Sequence, residues 1–162
     1  MSRPRLTPAN TCACGAIVWC RVSPWAIAIV DAEDGSLLYD QAWSATKKGH
    51  VIDGRGGLLH HYILTPPTGR IVDHRNRNSS DCRRENLRPC TVPQNGYNSR
   101  KGFGASRFKG VSRAPKGRGW VARIRTAGGR LHLGTFPDEV AAALAYDASA
   151  REHHGEFALT NF

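Results

Sequence analysis

The chain has 162 residues, with 23 Lys and Arg against 13 Asp and Glu, and its formal net charge is +10 at pH 7. Hydrophobic residues make up 40% and charged residues 22%, which is typical of a folded protein and excludes a disordered basic tail. The length suits one medium domain or two small ones. The excess of positive charge indicates an acidic partner, and nucleic acid is the first candidate.

No apolar run approaches the roughly 18 residues of a membrane span. The longest, residues 26–30, is far too short, and no apolar segment follows the basic N-terminal residues as it does in a secretory signal. We therefore expect an intracellular, cytoplasmic protein without a membrane partner. In the N-terminal third, residues 26–30 predict a strand, residues 31–35 a turn, and Trp43 the start of another strand.

The five cysteines are Cys12, Cys14, Cys20, Cys82 and Cys90. Their odd number and the lack of a Cys-x-x-Cys pair argue against a disulfide framework, so we expect reduced thiols that pack as small hydrophobic groups. A zinc site that uses Cys12, Cys14 and a distant cysteine is the alternative. Residues 1–22 otherwise receive no structural or functional assignment from the sequence.

The central segment, residues 58–98, predicts several short elements. Residues 58–64 are an apolar segment that favours a short helix, residues 66–69 a turn, and residues 70–73 a strand. The polar residues after His74 predict a loop. Thr91 is a suitable helix cap, with a proline close to the first helical position.

Asp73, His74 and Asn95 are candidates for phosphodiester hydrolysis. That reaction needs a base for water and a hard cation near the phosphate. An imidazole suits the first task at neutral pH, and a carboxylate with an amide oxygen suits Mg²⁺. The alternative is that the Asp-His pair lies on the surface and that the asparagines belong to turns.

The strings LHHYIL, VDH, D-x-R-x-x-N-L-R, CT and QN in residues 58–98 resemble the HNH endonucleases of the phage and homing type, in their H-N-N version. The resemblance implies that His74 is the general base and that Asp73 and Asn95 bind one divalent metal, Mg²⁺. It also implies that Asn86, counted with His74 among the catalytic residues, holds a ββα-metal hairpin and the histidine orientation.

Three other positions follow from the same resemblance. His60 matches a histidine of the family and is expected to be structural or to face phosphate. Cys82 replaces the asparagine that usually follows the aspartate, and His61 replaces an arginine. Neither replacement falls on a core catalytic position, so the resemblance implies an intact active site, with residues 24–57 as the lead-in of the nuclease module.

Residues 106–132 contain eight basic residues and no acidic residue. Apolar residues recur here at every second position between glycine-containing turns, which predicts a three-stranded antiparallel meander over about 106–113, 119–126 and 129–135. One face of such a sheet is apolar. The other presents Arg123, Arg125, Arg130 and His132, and a ribbon of this width fits the DNA major groove.

A helix is predicted after the meander. Asp138 is its N-cap, Glu139 lies in its first turn and Gly155 ends it. We expect an apolar stripe to face the core of this module. The residues of that stripe are Val140, Ala143, Leu144, Ala148 and the neighbouring alanines.

The strings FKGV, WVARI, LGTF, AALAYD and GEFALTNF resemble the plant-type AP2/ERF DNA-binding domain over residues 106–162. The resemblance implies binding in the major groove through the sheet. Ser112 and His132 depart from residues common in plant members, which affects base preference and not the docking face. The predicted DNA contacts are Lys109, Arg113, Arg118, Trp120, Arg123, Arg125, Arg130 and His132.

The sequence thus predicts an α+β protein with two modules. Residues 1–98 are the nuclease module, residues 99–105 a linker, and residues 106–162 a three-stranded antiparallel sheet packed on one helix. The expected function is Mg²⁺-dependent cleavage of double-stranded DNA, without a small-molecule substrate, in a bacterial or phage-infected cell as the resemblance implies. A DNA-binding regulator with an inert nuclease module, or a structural nucleic-acid-binding protein, are the alternatives.

Overall fold

A computed structural model describes residues 9–100 and 104–162. The chain folds into two compact units, Met1–Thr91 and Val92–Phe162. The helix that follows Thr91 therefore groups with the C-terminal unit. Residues 101–103, at the centre of the predicted linker, and residues 1–8 lie outside the described part.

The first unit consists of short strands in three antiparallel sheets, β1-β2-β3, β4-β5 and β6-β7, and of two short helices. Its elements in chain order are β1 Ala9–Thr11, β2 Ile17–Ser23, β3 Ala26–Asp31, α1 Ser36–Asp40, β4 Trp43–Ala45, β5 Val51–Asp53, α2 Leu59–Ile63, β6 Ile71–His74 and β7 Leu87–Cys90.

The core of the first unit lies between these small sheets and helices. The strand predicted over residues 26–30 is confirmed as β3, and its residues Ala26, Ala28 and Val30 are buried. They belong to one cluster with Leu38 of α1 and Leu59 of α2, both almost inaccessible to solvent. This cluster fixes α2 against the strands and so determines where the histidines of α2 lie.

The expectation of reduced cysteines is confirmed at three positions and wrong at two. Cys20, Cys82 and Cys90 are buried free thiols, whereas Cys12 and Cys14 form a disulfide. The turn between β1 and β2 explains the pair, because it brings the two Cα atoms within 5.4 Å of one another, inside the range that a disulfide spans. The two sulfur atoms are bonded to each other, so they are not ligands of the zinc site considered from the sequence.

The second unit contains the three-stranded meander, in the order β10-β9-β8, and its two helices. The elements are α3 Val92–Tyr97, β8 Val111–Arg113, β9 Trp120–Thr126, β10 Gly129–Phe136 and α4 Glu139–His154. The first strand is shorter than predicted because the backbone N–H groups of Arg107, Phe108 and Lys109 donate to side chains of Glu139, Ser106 and Asn161.

Helix α4 has the predicted ends but a different buried face. The Asp138 carboxylate accepts a hydrogen bond from the N–H of Ala141 at 2.8 Å, which confirms the cap. Of the predicted stripe, Ala143 and the neighbouring Ala142 and Ala150 are buried, while Val140, Leu144 and Ala148 are exposed. The prediction was wrong for these three because the sheet contacts the neighbouring face of the helix, which carries Ala142, Ala143, Tyr146, Asp147 and Ala150.

A polar anchor explains why this face is buried. Asp147 has no exposed surface, and its carboxylate accepts hydrogen bonds from the backbone N–H groups of Asn161 and Phe162 and from the Asn161 side chain, at 2.8–2.9 Å. A buried carboxylate with several donors is well satisfied. The C-terminal residues are thereby fixed on α4.

The described residues form an α+β structure with small antiparallel sheets. No helix among them is long and apolar enough to cross a membrane.

Candidate metal centre and nucleic-acid interface

The β6-β7 hairpin positions the predicted aspartate and histidine side by side. Asp73 pairs with Arg88 across the hairpin, and His74 pairs with Leu87. Both side chains are 5% exposed. Since β6 ends at His74, the pair stands where the strand leads into a loop, as the sequence predicts.

The buried carboxylate of Asp73 forms an ion pair with a buried arginine. The Nε and Nη2 atoms of Arg88 donate to Oδ2 of Asp73 at 2.9 and 2.8 Å, and Arg88 is also 5% exposed. Two adjacent hydrogen bonds fix the orientation of the carboxylate. Because both charges are removed from water, neither is stable without the other.

The imidazole of His74 lies in a cluster of histidines and one cysteine. Its ring centroid is 4.9 Å from that of His60 and 6.3 Å from that of His50, and its Nε2 is 3.9 Å from Sγ of Cys82. His60 in turn contacts the ring of His61 edge-on at 4.6 Å. Elements far apart in the chain thus contribute imidazoles to one buried place.

Burial keeps the imidazoles of His60 and His74 neutral at physiological pH. Desolvation, together with the charges of neighbouring histidines, lowers the pKa of His60 to about 3. Desolvation and the charge of His50 lower the pKa of His74 to about 4, against the opposing effect of Asp73 and Asp81. Burial also raises the pKa of the Cys82 thiol to about 12, so this sulfur remains protonated near neutral pH.

Asn86 holds the loop that separates the two strands. Its Oδ1 accepts from the N–H of Asn76 at 2.9 Å, and its Nδ2 donates to the carbonyl of Asp81 at 2.7 Å. The Asp81 carboxylate accepts from Asn76 and, through both oxygens, from Arg83. The Asn86 side chain therefore closes the loop that carries Cys82.

Asn95, the second predicted metal ligand, lies on α3. Its side chain is exposed, and α3 groups with the second compact unit. The structure therefore brings Asp73, His74 and Asn86 together in one hairpin. It describes Asn95 as an exposed amide in the other unit.

Four of the predicted DNA contacts share the outer face of the second sheet. Arg125 pairs with Arg130 and Arg123 with His132 across β9 and β10, and all four side chains are exposed. Among the described residues, Arg125 and Arg130 have no ion-pair partner. We call these four residues the basic face. Like charges placed directly opposite repel one another, so this face favours an anionic partner.

The other predicted contacts lie elsewhere in the second unit. Arg113 pairs with Trp120, and its guanidinium stacks on the indole 4.4 Å from the ring centroid. Because side chains alternate along β9, this pair lies on the opposite side from Arg123 and Arg125. The ammonium of Lys109 donates to the carbonyl of Tyr97, and Arg118 is exposed in the turn before β9.

A cavity of about 850 Å³ borders the basic face within the second unit. Its walls include residues of α3 and the side chains of Arg123, Arg125 and Arg130. At one end the rings of Tyr97 and His154 stack with centroids 3.7 Å apart, and Nε2 of His154 lies 2.7 Å from the carbonyl oxygen of Arg125. The concave surface is wide and carries positive charge.

Sequence reasoning missed the buried cluster around His74. The histidine of α2 had a signal, since His60 lies in the LHHYIL string, and Cys82 was visible as a departure from the family pattern. His50 had none, because it precedes β5 in a stretch without a motif. Only the packing of α2 and the loop on β6 brings these side chains together.

Comparison with known proteins finds matches to both parts of the chain. Residues 65–97 match the HNH endonuclease family. An AP2/ERF and B3 domain-containing protein of Oryza sativa subsp. japonica is 53% identical over 58 residues, which are 36% of this chain and 16% of that protein. The AP2-like ethylene-responsive transcription factor ANT of Arabidopsis thaliana is 32% identical over 145 residues, 77% of this chain and 26% of its own length.

The AP2-like ethylene-responsive transcription factor PLT2 of Arabidopsis thaliana is 49% identical over 61 residues, 36% of this chain and 11% of its own length. The chain thus spans about a quarter or less of these curated relatives. The match to the HNH endonuclease family and the matches to AP2/ERF proteins together show a protein that joins a nuclease-type segment to a DNA-binding-type domain. The chain is a fusion of an HNH-family segment with an AP2/ERF domain.

Proposed function

We propose that this protein is a metal-dependent endonuclease of duplex DNA, of the homing type that the sequence resembles. The observation that carries the proposal is the pair formed by a buried, neutral imidazole and a buried carboxylate at the end of β6, inside the segment that matches the HNH endonucleases. In this proposal β6, β7 and α3 are the ββα-metal motif of the family, and the C-terminal unit is its DNA-binding partner.

His74 is the proposed general base. Its low pKa means that the ring is unprotonated at neutral pH, so it is able to accept a proton. A DNA phosphate beside the ring favours the imidazolium and raises that pKa on binding. The water oxygen bonds to phosphorus, its proton goes to an imidazole nitrogen of His74, the P–O3′ bond breaks, and solvent protonates the leaving oxygen.

The donor chemistry of this chain fits a hard divalent cation, with Mg²⁺ as the first candidate. The Asp73 carboxylate is an oxygen donor whose orientation Arg88 fixes, and Asn95 offers an exposed amide oxygen. We propose these two residues as the protein ligands. When bound, the cation supplies positive charge beside the phosphate. Arg88 and Asn86 act as positioning residues.

The basic face is the proposed DNA-docking surface. Arg123, Arg125, Arg130 and His132 present exposed positive or ionisable groups on one side of a three-stranded sheet, which has the width of a major-groove reader. Arg113, Trp120, Lys109 and Arg118 remain proposed contacts of the edges and turns. The Lys109 ammonium first has to leave the Tyr97 carbonyl.

This surface predicts a defined salt dependence. The logarithm of the DNA-binding constant falls as the logarithm of the salt concentration rises. Each phosphate contact that is removed makes this fall less steep, by about one unit of slope. We expect Arg125→Ala and Arg130→Ala each to weaken duplex binding with that change of slope, measured by fluorescence anisotropy. Arg151→Ala, an exposed arginine of α4, is the matched control. If both face variants bind like the wild type at all salt concentrations, the sheet does not dock on DNA.

A DNA-binding regulator is the second candidate. The observation that favours it is that curated relatives of the AP2/ERF part are transcription factors and a repressor by name. In that reading the HNH segment is inert and the basic face carries the whole function. A regulator binds DNA and leaves the backbone intact with Mg²⁺ present, so a plasmid-nicking assay separates the two.

A further inference from the structure

Three soft or borderline donor groups converge beside the proposed general base. The ligand atoms of His60, His74 and Cys82 all lie within 4.8 Å of one another. The three residues are 4%, 5% and 0% exposed. They come from α2, from the end of β6 and from the loop closed by Asn86, so the fold of the first unit itself creates the cluster.

One edge of the cluster, between the sulfur and an imidazole nitrogen, is close in length to an edge of a tetrahedral zinc site. Zn–S of about 2.3 Å and Zn–N of about 2.0–2.1 Å place the sulfur and a nitrogen about 3.6 Å apart. In the structure, Sγ of Cys82 is 3.9 Å from Nε2 of His74. A displacement of a few tenths of an ångström brings these two atoms to the separation of two zinc ligands. The ring of His50, 5.8 Å from that of His60, lies at the border of the cluster.

A second observation points to a ligand at the same place. The Nδ1 atom of His60 is buried and has no hydrogen-bond partner among the described residues. A buried polar atom without a partner costs free energy, and an ion or water is the usual explanation in a native structure. The three ligand atoms of the cluster belong to one thiol and two imidazoles, and none of them is a carboxylate oxygen.

We propose that His60, His74 and Cys82 form a zinc site, distinct from the Asp73 and Asn95 ligands proposed for Mg²⁺. Two imidazoles and one thiolate are the ligand types that select Zn²⁺ over Mg²⁺. Three protein ligands leave the fourth position of a tetrahedral ion to water. The cysteine is the element specific to this chain, since the family resemblance places an asparagine at position 82.

The consequence for activity rests on the proposed function. A zinc ion on His74 occupies the lone pair that accepts the proton of water, so the zinc-loaded protein cannot use this imidazole as a base. Zinc then inhibits Mg²⁺-dependent nicking from a buried site.

Zinc binding is measured first, without reference to nuclease activity. The full-length protein, with the Cys12–Cys14 disulfide left intact, competes with a chromophoric chelator for Zn²⁺. We expect one ion per chain, and at least about a hundredfold weaker binding in Cys82→Ser because a direct ligand is lost. Cys20→Ser, which removes a buried thiol outside the cluster, is the matched control and should bind like the wild type.

Cobalt provides a second measurement, in which the spectrum of the wild-type protein is informative without any variant. Co²⁺ added to the wild-type protein should give the intense visible bands of a tetrahedral ion together with a thiolate charge-transfer band. Cys82→Ser should lose the charge-transfer band. Absence of zinc binding, equal affinity of Cys82→Ser and wild type, or an octahedral cobalt spectrum without a thiolate band would overturn the site.

Nicking with Mg²⁺ is then compared with and without one equivalent of zinc, each protein being normalised to its own zinc-free rate. We expect inhibition of the wild type and relief of that inhibition in Cys82→Ser. Zinc that binds at the cluster while wild-type nicking stays at its zinc-free rate would overturn the inhibitory role. A protein that does not nick even without zinc contradicts the endonuclease proposal, and the chelator and cobalt results still decide the zinc site.

Discussion

The buried ion pair of the hairpin makes a quantitative prediction about stability. Asp73 and Arg88 are both 5% exposed and joined by two hydrogen bonds to one carboxylate oxygen. Arg88→Met keeps an apolar side chain of similar reach and leaves the carboxylate buried without a counter-charge. Removing one partner of such a pair costs about 3–5 kcal/mol. For a unit of this size the midpoint of thermal unfolding falls by about 12 °C or more.

A double-mutant cycle isolates the pair. Asp73→Asn removes the charge that Arg88→Met leaves unpaired, so the double variant should recover about 1–3 kcal/mol of the loss. Unfolding in urea is followed by tryptophan fluorescence, because three of the four tryptophans belong to the first unit, namely Trp19, Trp25 and Trp43.

A half-exposed arginine, which uses the same two nitrogen atoms but contacts both oxygens of its carboxylate, serves as the control. Arg84 also binds a carboxylate, that of Asp34, at 2.8 Å, but its side chain is 51% exposed. Arg84→Met should destabilise the protein much less than Arg88→Met, because solvent screens an exposed pair. If Arg88→Met costs no more than this control, or if the double variant is as unstable as the sum of the single ones, the Asp73–Arg88 pair does not stabilise the hairpin.

Two further predictions concern pH and a glycine. The folded pKa values of His60 and His74, about 3 and about 4, lie below their ordinary value of 6.5, so the unfolded chain binds more protons between these limits. The stabilisation that comes from the two neutral imidazoles is fully present above pH 6.5, and the free energy of unfolding falls toward pH 4 by up to about 2.7 kcal/mol per pH unit. In urea titrations at several pH values, His60→Gln should halve that slope. An unchanged slope would contradict buried neutral imidazoles. Gly110 has φ +77°, and a Cβ there would overlap the Tyr146 ring, so Gly110→Ala should cost about 3 kcal/mol or more. Gly117→Ala, at φ +72° with open space around it, should cost only about 1 kcal/mol, and equal midpoints of thermal unfolding for the two variants would contradict the contact.

Short-range patterns predicted the elements that carry the chemistry. Glycine turns and two-residue alternation located the meander, and β9 and β10 present Arg123, Arg125, Arg130 and His132 on one face as expected. Asp138 caps α4, and β6 ends at His74. These features depend on neighbouring residues only, so a single sequence contains enough information for them.

Features that depend on residues far apart in the chain could not be predicted from the sequence. The buried face of α4 is decided by Asp147, whose partners Asn161 and Phe162 come from the C-terminal end. Periodicity alone therefore placed Leu144 in the core although it is exposed. In the same way, no local pattern connects His50, far from β6 in the chain, with the ring of His74.

Nicking of a supercoiled plasmid with Mg²⁺ is the most direct test of whether His74 activates water in an HNH-type endonuclease. The wild type should convert the supercoiled form to the relaxed or linear form, and His74→Ala, folded by circular dichroism and still able to bind duplex DNA, should lose that activity. Intact plasmid with the wild-type protein, or undiminished nicking by His74→Ala, would contradict the account.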